Sequence, residues 1–213
     1  MKLNATVCGV GINDADYPLV THEKIGWKRN TVWKCPIYYR WVGLISRVYG
    51  NKRKNAYEDV TVCDDWLLFS NFKVWMEAQI WKDLELDKDI LIQGSREYGP
   101  ETCAFVPAYV NNLAVRPNVK RSKTPLGVVE LPSGKYKAAV TKYGLLTNLG
   151  VFNTTKEAHK AWQTEKSNYI IEIVSQYSKE ECFRTDIADA LMRNAWDIRL
   201  NATMGIETKF NWE

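Results

Sequence analysis

The sequence predicts an α+β protein, and three features of it carry that prediction. A helical periodicity begins at Pro36; short apolar runs between residues 86 and 106 are separated by a polar loop; and three strand-like segments between residues 127 and 151 precede a further helical pattern. At 213 residues the chain is long enough for one large domain or two small ones. A hydrophobic fraction of 46% against 25% charged belongs to a globular chain that can bury a core, which sets disorder aside. Nine Trp and eleven Tyr allow several small cores, each built around one or two rings.

The first thirty-odd residues mix Gly, Asp, Asn and Pro without periodicity and predict loop and short strand. Gly9-Val10-Gly11 lacks the third glycine of a phosphate-binding loop and no helical pattern follows it, so it predicts a turn. From Pro36, the residues Tyr38, Trp41, Val42, Leu44, Ile45 and Val48 recur at helical spacing with Arg40 and Arg47 opposite, an amphipathic helix ended by Gly50. Val60, Val62 and Cys63 predict a short strand. Ser70 is the expected N-cap of a helix running to Ile80, with Phe72, Val74, Trp75 and Met76 as its apolar positions.

Leu86–Ile92 and Cys103–Val106 then read as two strands around a loop, followed by a short helix near Pro107 to Leu113: a ββα unit. Strand alternation puts Asp87 and Asp89 on one side and Lys88 on the other. Arg116–Pro125 is basic, proline-flanked and poor in apolar residues, and is the expected linker between domains. Strands are expected at Gly127–Leu131, Lys135–Lys142 and Leu145–Val151, then a helix from Thr155 and a last helix from Ser178 to Asn194. Val128, Tyr136, Ala138 and Val140 form one sheet face, to be buried against Ala158, Ala161 and Trp162. The expected division is therefore residues 1–115, linker 116–125, a three-stranded domain 126–175, and a C-terminal helix and tail 176–213.

Lys plus Arg outnumber Asp plus Glu by 29 to 25, a net +4 that permits a nucleic-acid partner without demanding one. Lys52, Arg53 and Lys54, the linker residues Arg116, Lys120, Arg121 and Lys123, and the strand residues Lys135 and Lys137 are the candidate DNA contacts. No apolar run reaches the ~18–20 residues of a membrane span, and the first residues lack a basic region followed by an apolar core. Five cysteines without CxxC spacing fit reduced thiols, so a cytoplasmic protein with no membrane partner is expected. His22 and His159 are expected in loop and in surface or packing positions.

Asp87 on a hairpin and Asn111 on the following helix supply the hard oxygens that Mg²⁺ or Mn²⁺ prefers, and such an ion stabilises charge at a scissile phosphate. Around them, Trp41 to Val48, Val62-Cys63-Asp64-Asp65-Trp66, Phe69-Ser70-Asn71-Phe72, Trp75, Leu86-Asp87-Lys88-Asp89, Gly94, Tyr98-Gly99-Pro100-Glu101-Thr102-Cys103 and Val110-Asn111 resemble bacteriophage homing endonucleases with a divergent HNH, or His-Me finger, unit. The resemblance covers residues 36–113. It implies metal-dependent phosphodiester hydrolysis, with Asp87 and Asn111 as metal ligands. Where active members carry a water-activating His, this chain has Lys88, and an ordinary lysine is protonated at neutral pH and cannot accept a proton. Lys88 is then expected to stabilise phosphate charge, and Asp89 to orient water.

Residues 126–172 resemble the apetala/ethylene-response-factor type of DNA-binding domain, through Gly127-Val128-Val129-Glu130-Leu131-Pro132-Ser133-Gly134-Lys135-Tyr136-Lys137-Ala138, Leu149-Gly150-Val151-Phe152-Asn153-Thr154, Glu157-Ala158 and Ala161-Trp162. The resemblance implies double-stranded DNA as partner, met by the sheet face opposite the helix. This chain departs from it there: Val129, Leu131, Ser133, Thr141, Leu146 and Asn148 stand where DNA-reading members hold Arg and Trp, with Lys135 and Lys137 the remaining cations. Such a face predicts weak or altered base readout. The expected function is thus a DNA-binding protein of the phage homing-endonuclease type, with metal-dependent phosphodiester hydrolysis as its reaction. The alternatives are a catalytically silent regulator and a protein-interaction factor using Val129, Leu131 and Leu146 for a partner or for self-association.

Overall fold

The computed structural model describes residues 6–25, 27–50, 59–113 and 123–209. Helices and small sheets are mixed along the chain, which divides into two units: Met1–Lys88 with Ser95–Phe105, and Asp89–Gly94 with Val106–Glu213. None of the described helices is long and apolar enough to cross a membrane.

The first unit begins with β1 (Thr6–Val7) and β2 (Gly11–Ile12), joined by a turn in which Cys8 and Gly9 take positive φ, as Gly9-Val10-Gly11 predicts. Next comes an antiparallel hairpin, β3 (Val20–Ile25) and β4 (Lys28–Lys34), where loop and short strand were expected. Its described side chains are almost all exposed. A ribbon with no buried face leaves no apolar alternation to read, and its signal lies only in β-branched and aromatic residues such as Val20, Thr21, Thr31, Val32 and Trp33.

Helix α1 (Pro36–Tyr49) has the predicted bounds: Pro36 opens it, where a missing N–H costs nothing, and Gly50 follows its last residue. It buries Ile37, Trp41, Leu44 and Ile45. After β5 (Thr61–Val62) come α2 (Asp64–Leu67) and α3 (Phe69–Glu77). The N-cap of α3 is Leu68, not Ser70, and no side chain of its own caps it. The distant Asp14 takes over, its carboxylate accepting the Ser70 N–H at 2.9 Å, a favourable charge at a helix N-terminus. Phe69, Phe72 and Met76 point inward, while Val74 is exposed.

An aromatic core joins these helices. Trp41 donates its indole N–H to the Trp66 carbonyl at 2.7 Å, the Trp66 and Trp75 rings lie 4.4 Å apart, and Tyr38 meets Phe69 edge-on at 5.2 Å. Strands β6 (Glu85–Asp87), β7 (Glu97–Tyr98) and β8 (Ala104–Val106) follow; β6 pairs with β8, and β7 pairs in parallel with β5.

The second unit holds α4 (Ala108–Asn111), β9 (Val128–Glu130), β10 (Tyr136–Lys142), β11 (Leu145–Phe152), α5 (Thr155–Tyr177) and α6 (Thr185–Met204). The three strands form one antiparallel sheet in the order β11-β10-β9, within one residue of the predicted bounds. Val128, Ala138 and Ala158 form its buried centre, ringed by Tyr136, Leu149, Phe152 and Ala161. Thr154 and Glu157 close a reciprocal capping box at the start of α5. Helix α5 runs on to Tyr177, so Ser178 caps its C-terminus rather than opening the last helix. Helix α6 starts seven residues later, at Thr185, and returns antiparallel along α5, the Ser167 hydroxyl donating to the Ala195 carbonyl at 2.9 Å.

Candidate nucleic-acid interface

Two tight turns shape the sheet. Between β9 and β10, Leu131-Pro132-Ser133-Gly134 closes with the Gly134 N–H on the Leu131 carbonyl at 2.9 Å, Pro132 setting the first corner. Between β10 and β11, Tyr143 and Gly144 both take positive φ, 51° and 78°, the two-residue turn whose twist suits a hairpin. That conformation is unfavourable for a tyrosine by about 1–2 kcal/mol. Contacts with α5 offset it: the Tyr143 N–H donates to the Tyr169 hydroxyl at 2.8 Å, and the Tyr143 hydroxyl donates to Glu172 at 2.9 Å.

Register and alternation then assign the faces. Ala138 and Val140 are buried toward α5, and Lys142 on the same side is ion-paired with Glu165 and Glu172. The opposite face carries Lys137, Ala139 and Thr141 on β10, paired with Val151, Asn148 and Leu146 of β11, while Val129 of β9 lies beside Lys137. A bulge between Ala138 and Ala139 inserts Leu149 and returns it to the buried side. Leu146, Val129 and Val151 are 71%, 60% and 51% exposed. The outward strand positions thus hold one cation and no carboxylate, with Lys135 exposed at the turn. Three strands spaced ~4.8 Å apart span ~10 Å. Beyond Ala138, β9 no longer pairs and the sheet narrows to a two-stranded ribbon. A major groove ~12 Å wide admits such a ribbon.

Of the other cationic candidates, Lys123 is exposed, whereas Lys52, Arg53, Lys54, Arg116, Lys120 and Arg121 lie outside the described residues, as does most of the expected linker.

The hydrolytic candidates are placed differently. Asp87 is the last residue of β6; Lys88 and Asp89 lie past the strand, in a bend, so strand alternation does not govern their sides. Asp87 and Lys88 belong to the first unit, and Asp89 and Asn111 to the second. Lys88 is only 6% exposed: its ammonium donates to the Ser95 carbonyl at 2.5 Å and sits 5.8 Å from the Tyr98 ring centroid. Asn111 ends α4 and is buried. Among the described residues, no three His, Cys, Asp or Glu side chains converge. The hard-oxygen candidates are thus one carboxylate, Asp87, and one amide, Asn111, each described within its own unit.

Sequence reasoning missed a buried polar seam in the second unit. His159, expected at the surface or in packing, is buried, stacked on Trp162 at 5.4 Å. Its Nε2 accepts the Thr208 N–H at 3.0 Å, which puts its proton on Nδ1, donating to the Leu126 carbonyl at 2.9 Å. Burial holds its pKa below the usual imidazole value. Gln163 donates to the Ile206 carbonyl at 2.9 Å and the Thr208 hydroxyl at 2.8 Å. The segment after α6 is thereby fastened across α5. The signal was present but weak: a His and a Gln four residues apart, on the helix face that carries Ala158 and Trp162.

One helical turn on, Lys166 is 6% exposed, its ammonium donating to the Leu113 carbonyl at 2.9 Å; burial lowers its pKa from 10.5 to about 8. His22 is on the exposed hairpin, its Nδ1 3.3 Å from the Thr31 hydroxyl. Comparison with protein-family models, with curated proteins and with solved structures gave no match to this chain.

Proposed function

We propose that the protein binds double-stranded DNA through the outward face of β9, β10 and β11, and that it descends from a phage homing-endonuclease type of protein without relying on cleavage. The observation that carries this reading is the sheet face itself: groove-sized, backed by α5, and furnished with Lys137 and no carboxylate. Lys135 at the turn and Lys123 ahead of β9 are the phosphate contacts, since both are exposed. Lys88, only 6% exposed, is not counted among these contacts. The resemblance to apetala-type domains supports the same face; the departures from that family at Val129, Thr141 and Leu146 set it apart in base readout.

The test is fluorescence anisotropy of the full chain on a labelled duplex across a salt series. Affinity is expected to fall steeply with salt, and Lys135→Gln with Lys137→Gln to lower the logarithmic slope by about 1 for each phosphate no longer neutralised. No binding at low salt refutes the reading. The same protein incubated with supercoiled plasmid and Mg²⁺ or Mn²⁺ is expected to leave it intact. Nicking that disappears in Asp87→Ala and Asn111→Ala would instead establish the hydrolytic function.

A further inference from the structure

Resting on the DNA-binding reading above, we propose that this face selects A·T-rich duplex by touching thymine methyl groups, with Val129, Leu146 and Val151 as the specificity-determining residues. Major-groove edges differ in what they need from a protein. Guanine is best met by a forked guanidinium, cytosine by an acceptor such as a carboxylate, and thymine by an apolar group against its C5 methyl. The outward strand positions hold no arginine and no carboxylate. They do hold three branched apolar side chains, each more than half exposed. Val129 and Val151 flank Lys137 in one row across all three strands, and Leu146 lies farther along the β10–β11 ribbon.

The polar groups on this face are compatible with that choice. Asn148 accepts the Gly150 N–H on its side-chain oxygen at 3.2 Å, so that oxygen is engaged within its own strand and the NH₂ group is the part suited to a base. Thr141, beside Leu146, brings a methyl as well as a hydroxyl. An NH₂ donor is accepted by adenine N7 and thymine O4 and equally by guanine N7 and O6, so the choice of thymine falls to the apolar side chains. Lys137 is a point charge that can meet phosphate or a base acceptor without a preferred geometry. The bulge contributes too: by turning Leu149 inward it brings Asn148 onto the same face as Val151.

The prediction isolates one atom group per base. Replacing thymine by uracil removes the C5 methyl and leaves every hydrogen-bonding edge in place. Removing one such methyl is expected to weaken binding about 4-fold, and removing all three on the order of 50-fold. Affinities of the full chain are measured for an A·T-rich duplex, the same duplex with uracil, a G·C-rich duplex, and that duplex with 5-methylcytosine. The expected order is thymine above uracil, and methylcytosine above cytosine. Leu146→Ala, at a site too exposed to threaten folding, is expected to shrink the thymine-to-uracil ratio about 4-fold with an unchanged circular dichroism spectrum.

Equal affinity for thymine and uracil duplexes overturns the inference while leaving DNA binding intact. Absence of binding to all four duplexes overturns both. A chain that binds none of them but sediments as a dimer, which Leu146→Glu dissociates, would assign the face to a second copy of itself and overturn both as well.

Discussion

Gly127 tests how the sheet and α5 hold each other. It takes φ +73°, and a Cβ built there would sit 1.9 Å from Cδ1 of Trp162. The ring has nowhere to go: Trp162 is 5% exposed and stacks on His159 with planes 12° apart. The Gly127 carbonyl meanwhile accepts the Ala139 N–H at 2.9 Å, fixing the backbone on β10. Gly127→Ala therefore carries two separable costs, about 1–2 kcal/mol for an alanine in the left-handed region and about 1–3 kcal/mol for overpacking. Gly134 is the internal control, with φ +74° and no atom within 4 Å of its built Cβ, so Gly134→Ala carries the first cost alone. Urea unfolding followed by circular dichroism should place Gly127→Ala below Gly134→Ala by about 1–3 kcal/mol. Trp162→Leu should recover part of that gap when combined with Gly127→Ala, as a coupling between touching residues does. Equal losses for the two glycine variants would refute the argument that Trp162 occupies the missing side chain's space.

Two further outcomes concern the buried polar groups of the second unit. Because burial depresses the pKa of His159 in the fold, its stabilising contribution is complete above the unfolded value of about 6.5 and is lost as pH falls through the folded value. Thermal melts should thus weaken below about pH 6.5, and His159→Gln should flatten that part of the profile; an unchanged profile would show that Thr208 is not held through a neutral imidazole. For Lys166, the drop from 10.5 to about 8, at about 1.36 kcal/mol per pH unit, corresponds to about 3 kcal/mol against the folded state at neutral pH. The sign is that the unfolded chain binds this proton more tightly, so this group's contribution to stability rises as pH increases from about 8 to about 10.5. Lys166→Met should stabilise by about 1–3 kcal/mol in urea titrations at pH 7 and remove that rise, whereas a net loss would mean that the bond to Leu113 outweighs desolvation.

Much of the architecture is legible from residue order. The repeat from Tyr38 to Val48 defines α1, because one buried stripe on a helix must recur every three or four residues. The breaks left between the expected strands, at residues 132–134 and 143–144, bracket β10, and the helical pattern expected from Thr155 marks the start of α5. The candidate DNA face was legible to the same degree, since Val129, Lys137, Thr141 and Leu146 follow from strand alternation once the strands are known.

What eluded that reading has common causes. The β3–β4 ribbon buries neither face, so no alternation marks it. Helix α3 is capped by Asp14, a partner far away in the chain, so local capping rules pointed to Ser70. Asp87 and Asp89 looked like neighbours on one pleat only while the strand was assumed to continue past Asp87.

Local order therefore decided which segments are helix or strand and which side of each is apolar, because periodicity and turn chemistry act over a few residues. Tertiary structure alone decided where the polar side chains spend their hydrogen bonds. Lys88 turns to the Ser95 carbonyl, Lys166 to that of Leu113, and His159 and Gln163 to the segment after α6. A buried donor or acceptor must find a partner wherever the folded chain brings one, and spacing along the sequence carries no record of that meeting.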